Sequence, residues 1–329
     1  MTKEKVLVTG AAGYVGSVLV PKLLNAGYDV RALDLMLFGT NGIDPVRDKC
    51  EIVCGDIRDE SLLEKSISGA DHIIHLAAIA NDPCSNLNPE LTEQVNYIAT
   101  KNIARLAREN GVRRMVYSSS SSVYGVREEP NVTEDLELRP LTIYSKTKAW
   151  AEDAIREQTT RDFTTVSIRS ATVCGYSPRQ RLDLVVNIFA SDAILKGEIG
   201  VNGGEQKRPN VHIEDITDLY LGMLSIPSEK VSGDVFNYGK ENFSLNRIAE
   251  MVREEVGEHV KIKINPKTAD SRSYHISSEK IEKTLGVFPQ RTVRNAISDL
   301  KNAFERGLIP NPSDSRYRNI IRMKEINLI

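Results

Sequence analysis

The chain has 329 residues, of which 43 are basic and 45 acidic, and its formal net charge is -2. Because neither sign of charge dominates, the composition argues against a nucleic-acid partner and against a membrane surface. Hydrophobic residues make up 40% of the chain, which is enough to bury a full core without disulfides or metals.

The cysteines and the first residues indicate the cellular compartment. Four cysteines are scattered along the chain: Cys50, Cys54, Cys84 and Cys174. Cys50 and Cys54 stand too far from other Cys or His residues to form a zinc knuckle, so we expect reduced thiols and no metal site. The first residues lead directly into a strand, and no apolar run is long enough to span a bilayer. These features predict a soluble, cytoplasmic protein.

The first half of the chain alternates short β-branched runs with amphipathic helical patterns. Strands are predicted over 5–9, 30–34, 51–54, 72–75, 115–118 and 164–168. Helices are predicted over 14–25, 88–110 and 144–158. Apolar strands separated by helix-length crossovers are typical of a parallel sheet that helices cover on both faces. The sequence therefore predicts an α/β fold with a Rossmann-type, doubly wound parallel sheet.

The pattern changes after about residue 174, where segments become shorter and richer in Pro, Arg and Asn. Residues 235–239 still have the apolar pattern of one more strand of the parallel sheet. We predict an NAD(H)-binding domain over 1–178, to which 212–240 return. A smaller C-terminal lobe from 179–211 and 241–329 is expected to bind the substrate.

A glycine-rich turn lies between the first predicted strand and the first helix. Its glycines are Gly10, Gly13 and Gly16. Glycines here let the backbone approach a pyrophosphate, and the helix N-terminus offers free N–H groups to it. Asp34 ends the second strand, at the spacing where a carboxylate accepts hydrogen bonds from the adenosine ribose and repels the extra phosphate of NADP. NAD(H) is therefore the predicted cofactor. Asp56 either reaches the adenine with the backbone of Ile57 or simply forms a turn.

Tyr144 and Lys148 are four residues apart at the start of a predicted helix, so they share one face of it. An ammonium near a phenol lowers the pKa of the phenol and makes it a usable general acid and base. A run of five serines, 118–122, ends the fifth strand, where ligands bind in such sheets. One of these hydroxyls can hydrogen-bond a substrate hydroxyl beside Tyr144. The alternative for this pair is an exposed helix with a solvated lysine.

Together these motifs resemble those of the extended short-chain dehydrogenases/reductases that act on nucleotide sugars, over nearly the whole chain. The resemblance rests on Gly10/Gly13/Gly16, Gly55-Asp56, His75-Leu-Ala-Ala78, Asn96, Ser121-Ser-Val-Tyr-Gly125, Tyr144/Lys148 and residues 208–215 (RPNVHIED). It implies that Ser120 is the catalytic hydroxyl, that Ala77 lies along the cofactor and that Lys148 also binds the nicotinamide ribose. It further implies cofactor contacts from Tyr14, Val15, Leu76, Ala78, Asn96 and Ser118.

Two departures from the family pattern narrow the reaction. Members that dehydrate carbons 5 and 6 of the sugar have Asp-Glu just after the catalytic hydroxyl, and members that decarboxylate UDP-glucuronate have Glu at the second of these positions. Here Ser121 and Ser122 occupy them, and neither can act as a carboxylate acid or base. Reversible hydride transfer at a carbinol carbon remains, as in an epimerase, a net dehydrogenase or a ketoreductase.

Residues 169–187 resemble a subgroup of nucleotide-sugar epimerases and GDP-heptose 4-dehydrogenases, although Cys174 stands where an aromatic residue is common. The resemblance implies that a nucleoside-diphosphate sugar is held by Ser120, Ser121, Asn187, Arg208 and Arg272, with Arg179 and Arg181 as further candidates. Arginine suits this role because it presents a planar fork to phosphate oxygens. His212 is expected to be structural.

The sequence thus predicts an NAD-dependent nucleotide-sugar epimerase with a 4-keto intermediate and Tyr144 as acid and base. The first alternative is a 4-dehydrogenase or 4-ketoreductase with net turnover of NAD(H). A non-catalytic NAD(H) sensor would be expected to lack the Tyr, Lys or Ser, and a dehydrogenase of a small alcohol would not need Arg208 and Arg272. By resemblance we expect a homodimer that pairs through helices 88–110 and 144–158, in a pathway to surface polysaccharides or glycans.

Overall fold

The computed structural model describes residues 3–127, 129–266 and 275–328. Within these ranges the strands are β1 (Lys5–Thr9), β2 (Asp29–Asp34), β3 (Glu51–Cys54), β4 (His72–His75), β5 (Arg114–Ser120), β6 (Thr164–Ser170), β7 (Thr172–Cys174), β8 (Glu198–Asn202), β9 (Lys207–His212), β10 (Asp234–Tyr238), β11 (Glu241–Ser244) and β12 (Lys261–Asn265). The α-helices are α1 (Gly16–Asn25), α2 (Glu60–Ile67), α3 (Asp82–Ser85), α4 (Pro89–Glu93), α5 (Ala99–Glu109), α6 (Ile143–Arg156), α7 (Val185–Lys196), α8 (Ile213–Gly222), α9 (Leu245–Val256), α10 (Glu279–Leu285), α11 (Val293–Glu305) and α12 (Asn319–Glu325).

The apolar strands of the first half pair into one parallel sheet with the order β10-β6-β5-β4-β1-β2-β3. Successive residues of β1 point to opposite faces, so that Val6 and Val8 enter one hydrophobic core and Leu7 enters the other. The chain winds outward from β1 in both directions, and a crevice opens between the carboxyl ends of β1 and β4. The predicted doubly wound α/β fold is confirmed.

Two of the strands run further than their apolar patterns predict. β5 and β6 stay paired as far as Ser120 and Ser170, two residues beyond the predicted ends. The polar serines continue the ladder because backbone hydrogen bonds, rather than side-chain burial, hold this end of the sheet. Ser118 and Ser120 therefore reach the crevice on a rigid strand.

The predicted helix over 88–110 is interrupted. It consists of α4, a π-helical segment (Gln94–Ile98) and α5. The side chain of Asn88 caps its beginning by accepting a hydrogen bond from the backbone N–H of Leu91 at 2.9 Å. The π-helical turns have no signature in the hydrophobic periodicity of the sequence, which follows a regular helix.

The second half of the chain builds a smaller lobe. β9 pairs with β7 and β11 in one sheet, and β8 pairs with β12 in another. Helices α7, α9 and α11 share its apolar core, which includes Phe189, Ile248 and Ile297. Between these parts the chain returns to the large sheet, because β10 pairs with β6 and α8 packs on α1. No helix in the described ranges is long and apolar enough to cross a membrane.

Candidate active site

One cleft of about 480 Å³ opens at the carboxyl ends of the large sheet. This volume is in the range of small-molecule sites. Most of the predicted site residues line it: Gly10, Gly13, Tyr14, Val15, Gly16, Asp34, Asp56, Ile57, Leu76, Ala77, Ala78, Ser118, Ser120, Ser121, Tyr144, Lys148, Arg181 and Arg208. Asn96 and Asn187 do not line it, and Arg272 lies outside the described residues.

The glycine turn has no room for a side chain at Gly10 or Gly16. Gly10 has a φ of +74°, and a Cβ atom there would lie 2.7 Å from the backbone nitrogen of Ala77. A Cβ atom at Gly16 would lie 2.3 Å from the carbonyl oxygen of Gly10. The turn therefore leaves the first turn of α1 open to the cleft with bare backbone. This cradle fits the diphosphate of a dinucleotide, which needs close backbone approach at a helix N-terminus.

Asp34 is held in place at the end of β2 by backbone donors. Its carboxylate accepts hydrogen bonds from the N–H groups of Met36 at 2.7 Å and Ala12 at 3.0 Å. Burial raises the pKa of Asp34, while the two backbone hydrogen bonds oppose this rise. The side chain thus presents a fixed acceptor at the edge of the cleft, as ribose recognition requires.

Asp56 and Ile57 also reach the cleft, but the carboxylate of Asp56 is already engaged. It accepts hydrogen bonds from Arg58 Nη2 at 2.6 Å and from Arg58 Nε at 3.0 Å. Burial raises the pKa of Asp56, and the Arg58 contacts outweigh this effect and hold the pKa below its usual value. The arginine partner was not expected from the sequence, although it lies only two residues away.

Asn96 lies behind the wall of the cleft and supports it, and its expected contact with the cofactor stays a prediction. Its amide oxygen accepts from the N–H of Ile79 at 2.8 Å, and its amide nitrogen donates to the carbonyl of Ile79 at 3.0 Å. Both polar ends of the buried side chain are therefore used to hold the loop after β4. This loop carries Leu76 to Ala80 along the cleft.

A threonine–histidine chain holds the same loop from below. His75 lies between two hydroxyls, with Nδ1 2.6 Å from Thr9 Oγ1 and Nε2 2.8 Å from Thr100 Oγ1. Thr9 Oγ1 also accepts from the N–H of Ala77 at 3.3 Å. Burial lowers the pKa of His75 to about 3, so the imidazole is neutral near pH 7. This chain joins β1, β4 and α5, and no local motif in the sequence indicates it.

The Tyr–Lys pair lies on the first turns of α6. Thr142 caps this helix in a reciprocal capping box with Ser145, which fixes where Tyr144 enters the cleft. Lys148 Nζ donates to the carbonyl oxygen of Ser118 at 2.7 Å and lies 6.0 Å from the centroid of the Tyr144 ring. Burial lowers the pKa of Lys148 to about 7. The ammonium is thus desolvated next to the phenol that it is expected to activate.

The serine run bends away from the sheet at Ser120. Its Oγ accepts from the N–H of Ser122 at 3.2 Å and begins a short 3₁₀ turn, Ser121–Tyr124. Ser118 uses its hydroxyl to accept from Tyr220 at 2.8 Å. Ser120 and Ser121 line the cleft beside Tyr144.

A buried ionic network lies directly behind these serines and was missed by the sequence reasoning. Arg169 Nη2 contacts Glu152 Oε2 at 2.7 Å, and Ser119 Oγ donates to the same carboxylate. Arg169 also donates to the hydroxyl of Tyr124 at 2.8 Å. The available signal was the position of Glu152, one helical turn after Lys148 on the same face of α6.

Two of the arginines predicted for the substrate, Arg181 and Arg208, are buried in the wall of the cleft. Arg181 Nε donates to Asp183 at 2.8 Å, and its Nη2 finds no hydrogen-bond acceptor in the described part of the chain. A buried guanidinium with an unused donor is suited to an anionic ligand.

Asn187 and Cys174 do not line the cleft. Asn187 donates to the hydroxyl of Tyr14 at 3.1 Å and to the carbonyl of Arg181 at 2.8 Å, and its oxygen accepts from the N–H of Gly175. These three hydrogen bonds all lie inside the protein, and the expected contact with a diphosphate stays a prediction. Cys174 is part of the apolar core of the smaller lobe, so its departure from the subgroup pattern does not alter the cleft lining directly.

His212 has the structural position that was expected. Its Nδ1 accepts from the N–H of Glu214 and so caps α8, and its Nε2 lies 3.1 Å from Asp299. It does not line the cleft.

These features define a class of dinucleotide-binding enzymes. They are the glycine turn, the carboxylate after β2 and the Tyr–Lys pair, all at the carboxyl ends of one doubly wound sheet. The family model of the NAD dependent epimerase/dehydratase family matches residues 6–239 of this chain. The chain belongs to this family, and NAD is its cofactor.

Relatives match along most of both chains. The UDP-glucose 4-epimerase of Lactobacillus helveticus is 29% identical over 307 residues, which cover 87% of this chain and 92% of the relative. A putative UDP-glucose 4-epimerase of Methanocaldococcus jannaschii is 30% identical over 308 residues, with 90% and 97% covered. The structure of MoeE5 in complex with UDP-glucuronic acid and NAD matches with a TM-score of 0.80 and 27% identity, over 92% of this chain and 99% of that one.

Proposed function

We propose that the chain is an NAD-dependent nucleotide-sugar 4-epimerase that acts on a UDP-sugar. The observation that carries the proposal is that Tyr144, Lys148 and the serines of β5 share one cleft with the glycine turn. The names of the curated relatives support the reaction, and a neighbouring structure, 27% identical, holds UDP-glucose and NAD.

The chain itself supplies proton transfer. A bound NAD would supply the acceptor for a hydride from carbon 4 of the sugar and the source for its return. The phenolate of Tyr144 takes the proton of the 4-hydroxyl as that hydride leaves, and gives a proton back to the same oxygen when the hydride returns to the opposite face. Ser120 Oγ holds this hydroxyl by a hydrogen bond. Protonated Lys148 stabilises the phenolate by its positive charge.

The absence of carboxylates after the catalytic serine supports epimerisation over elimination. Ser121 and Ser122 line the cleft at the positions where an acid and a base would be needed. A hydroxyl with its ordinary high pKa does not remove a carbon-bound proton at pH 7. The keto sugar is therefore expected to keep its substituents and accept the hydride again.

The remaining site residues divide between the two ligands. We assign to the cofactor Gly10, Gly13, Tyr14, Val15, Gly16, Asp34, Asp56, Ile57, Leu76, Ala77, Ala78, Ser118 and Lys148. Arg181 and Arg208 are assigned to the diphosphate of the substrate, since both are buried cations in the cleft wall. Asn96 and Asn187 become positioning residues.

The test is a panel of UDP-, dTDP-, CDP- and GDP-sugars incubated with the purified protein and NAD+. Sugar products are separated by chromatography while NADH is followed by absorbance. An isomeric sugar without net NADH supports the epimerase. NADH that accumulates together with a keto sugar would instead establish a 4-dehydrogenase and refute the proposal.

We also propose that two copies pair through the helical region 88–110 and α6. Trp150 on α6 is 40% exposed and packs edge-on against Tyr97, at 5.7 Å between ring centroids. An aromatic pair that is partly open to water is a common feature of subunit interfaces. Light scattering after gel filtration should give the mass of a dimer for the parent and of a monomer for Trp150→Glu.

A further inference from the structure

Residues 315–328, here called the closing segment, lie against the cofactor side of the cleft. This segment contains the 3₁₀ turn Ser315–Tyr317 and helix α12. Arg322 Nε donates to the carbonyl oxygen of Leu37 at 3.0 Å, and Met323 packs with Ile79 and Cys84. It therefore touches the loop after β2 and the loop after β4, both of which line the cleft.

The closing segment is also bonded to a third loop, residues 175–184, which follows β7. The N–H of Leu182 donates to the carbonyl of Tyr317 at 2.8 Å, and the N–H of Asn319 donates to Asp183 at 2.9 Å. Arg179 Nη2 donates to the amide oxygen of Asn319 at 2.6 Å. Asn319 is 5% exposed and lines the cleft itself. One short segment thus links the three loops that surround this end of the cleft.

Arg179 is held on several sides. Its guanidinium carbon lies 4.0 Å from the centroid of the Phe38 ring, and its backbone N–H donates to Ser17 Oγ on the first turn of α1. The side chain is 5% exposed, and its Nε meets no hydrogen-bond acceptor in the described residues. A buried guanidinium with an unused donor is suited to binding an anion.

The surroundings of Arg179 indicate which anion. Phe38 follows β2, and Ser17 lies on the helix that begins at the glycine turn. Both belong to the cofactor half of the cleft and not to the sugar half around Tyr144. A phosphate bound in this half would be one of those of the dinucleotide.

We propose that Arg179 binds a phosphate of NAD(H) and that the closing segment, through Asn319, holds it there and slows release of the cofactor. Arg179 is thereby assigned to the cofactor and not to the sugar nucleotide. The inference rests on the NAD dependence of the family and is independent of the epimerase reaction. It does, however, match what an epimerase needs, which is to keep the reduced cofactor until the keto sugar has turned over.

The test measures release of NADH from the full-length protein by stopped-flow fluorescence, with excess NAD+ as the chase. Arg179→Met should raise the dissociation rate constant about tenfold, the usual effect of one charge-assisted hydrogen bond. Asn319→Ala, which leaves the charge but frees the guanidinium, should raise it about threefold. Arg179→Lys should give a dissociation rate constant between those of the parent and Arg179→Met, since lysine keeps the charge but lacks the planar fork. Melting curves confirm that each variant is folded.

Arg247→Met is the control, because Arg247 lies on α9 and does not line the cleft. Its NADH release should stay within about twofold of the parent. An unchanged rate for Arg179→Met, or an equal change for Arg247→Met, would overturn the proposal. Because no sugar is present, inert sugar assays cannot decide the outcome.

Discussion

Glu152 and Arg169 form a salt bridge at 2.7 Å, and each side chain is less than a tenth exposed. The pair joins α6 to β6 directly behind the serine run. Ser119, which donates to the same carboxylate, stands between the serine whose carbonyl binds Lys148 and the proposed catalytic Ser120. The ion pair therefore fixes the end of β5 on which the proposed acid–base groups depend.

Glu152→Gln should destabilise the protein by about 3 kcal/mol, because it leaves the Arg169 cation buried without its counter-charge. The free energy of unfolding is measured by urea denaturation. Glu152→Gln combined with Arg169→Met removes both charges and should cost less than the sum of the single variants. Strict additivity of the two changes would show that the pair does not act as a unit.

Tyr144→Phe should lower kcat with the active sugar nucleotide by about 10²–10⁴-fold, the usual effect of removing a general acid–base group. The phenyl ring stays next to Lys148, so NADH affinity measured by fluorescence should remain within about twofold. A variant that keeps more than about a tenth of the parent's kcat would show that Tyr144 is not the proton acceptor.

Lys148 should make stability depend on pH. Its pKa is about 7 in the folded protein against 10.5 ordinarily, so between these values the unfolded chain carries a proton that the folded chain lacks. Raising the pH through this window therefore favours folding, by at most about 1.4 kcal/mol per pH unit for one proton. Below about pH 7 both states bind the proton and the contribution is constant.

The measurement is the free energy of unfolding of the parent minus that of Lys148→Met, at several values between pH 6 and about pH 9. This difference should be flat at the lowest pH values and rise above about pH 7. Lys146→Met, at an exposed position on the same helix, is the control for the loss of a lysine from α6. A flat difference for Lys148→Met would contradict the expected loss of its proton.

Gly16→Ala should destabilise the protein by about 1–3 kcal/mol and weaken NADH binding, because the added methyl group meets two backbone oxygens of the turn. Gly222→Ala is the control. Apart from its own helix, nothing in the described residues lies within 4 Å of a Cβ there, and alanine should stabilise the helix by about 0.5–1 kcal/mol. Thermal unfolding and NADH titration separate the two effects. If both variants had the same stability and the same NADH affinity, the glycine turn would be able to accommodate the methyl group with little loss of stability.

The features that could be predicted from the sequence are those set by short-range spacing. The glycine turn, Asp34 and the Tyr144–Lys148 pair each depend on a few neighbouring residues and on the element that carries them. The structure brings them to one cleft because the parallel order of the strands places all their carboxyl ends at the same edge.

The parts that could not be predicted depend on distant contacts. The sequence around Asn96 does not show whether its side chain contacts a cofactor or the backbone of Ile79. Only the folded structure shows the contact with Ile79. The contact of Arg322 with Leu37 joins residues 285 positions apart, and periodicity carries no information on such pairs. The contacts of Arg179 with Asn319 and of Asn187 with Tyr14 could not be predicted for the same reason.

The π-helical segment Gln94–Ile98 gives one helix two different tasks. Residues before and within it, Leu91 and Val95, form part of the cleft wall, whereas Ile103 after it packs in the core under the sheet. A π-helical turn contains one residue more than an α-helical turn. Each residue of an α-helix rotates the following side chains by about 100° about the helix axis. Deleting a single residue here would rotate the cleft wall while the core beneath the sheet kept its register. A change of one residue in the length of this segment can therefore alter the shape of the pocket without altering the packing of the core.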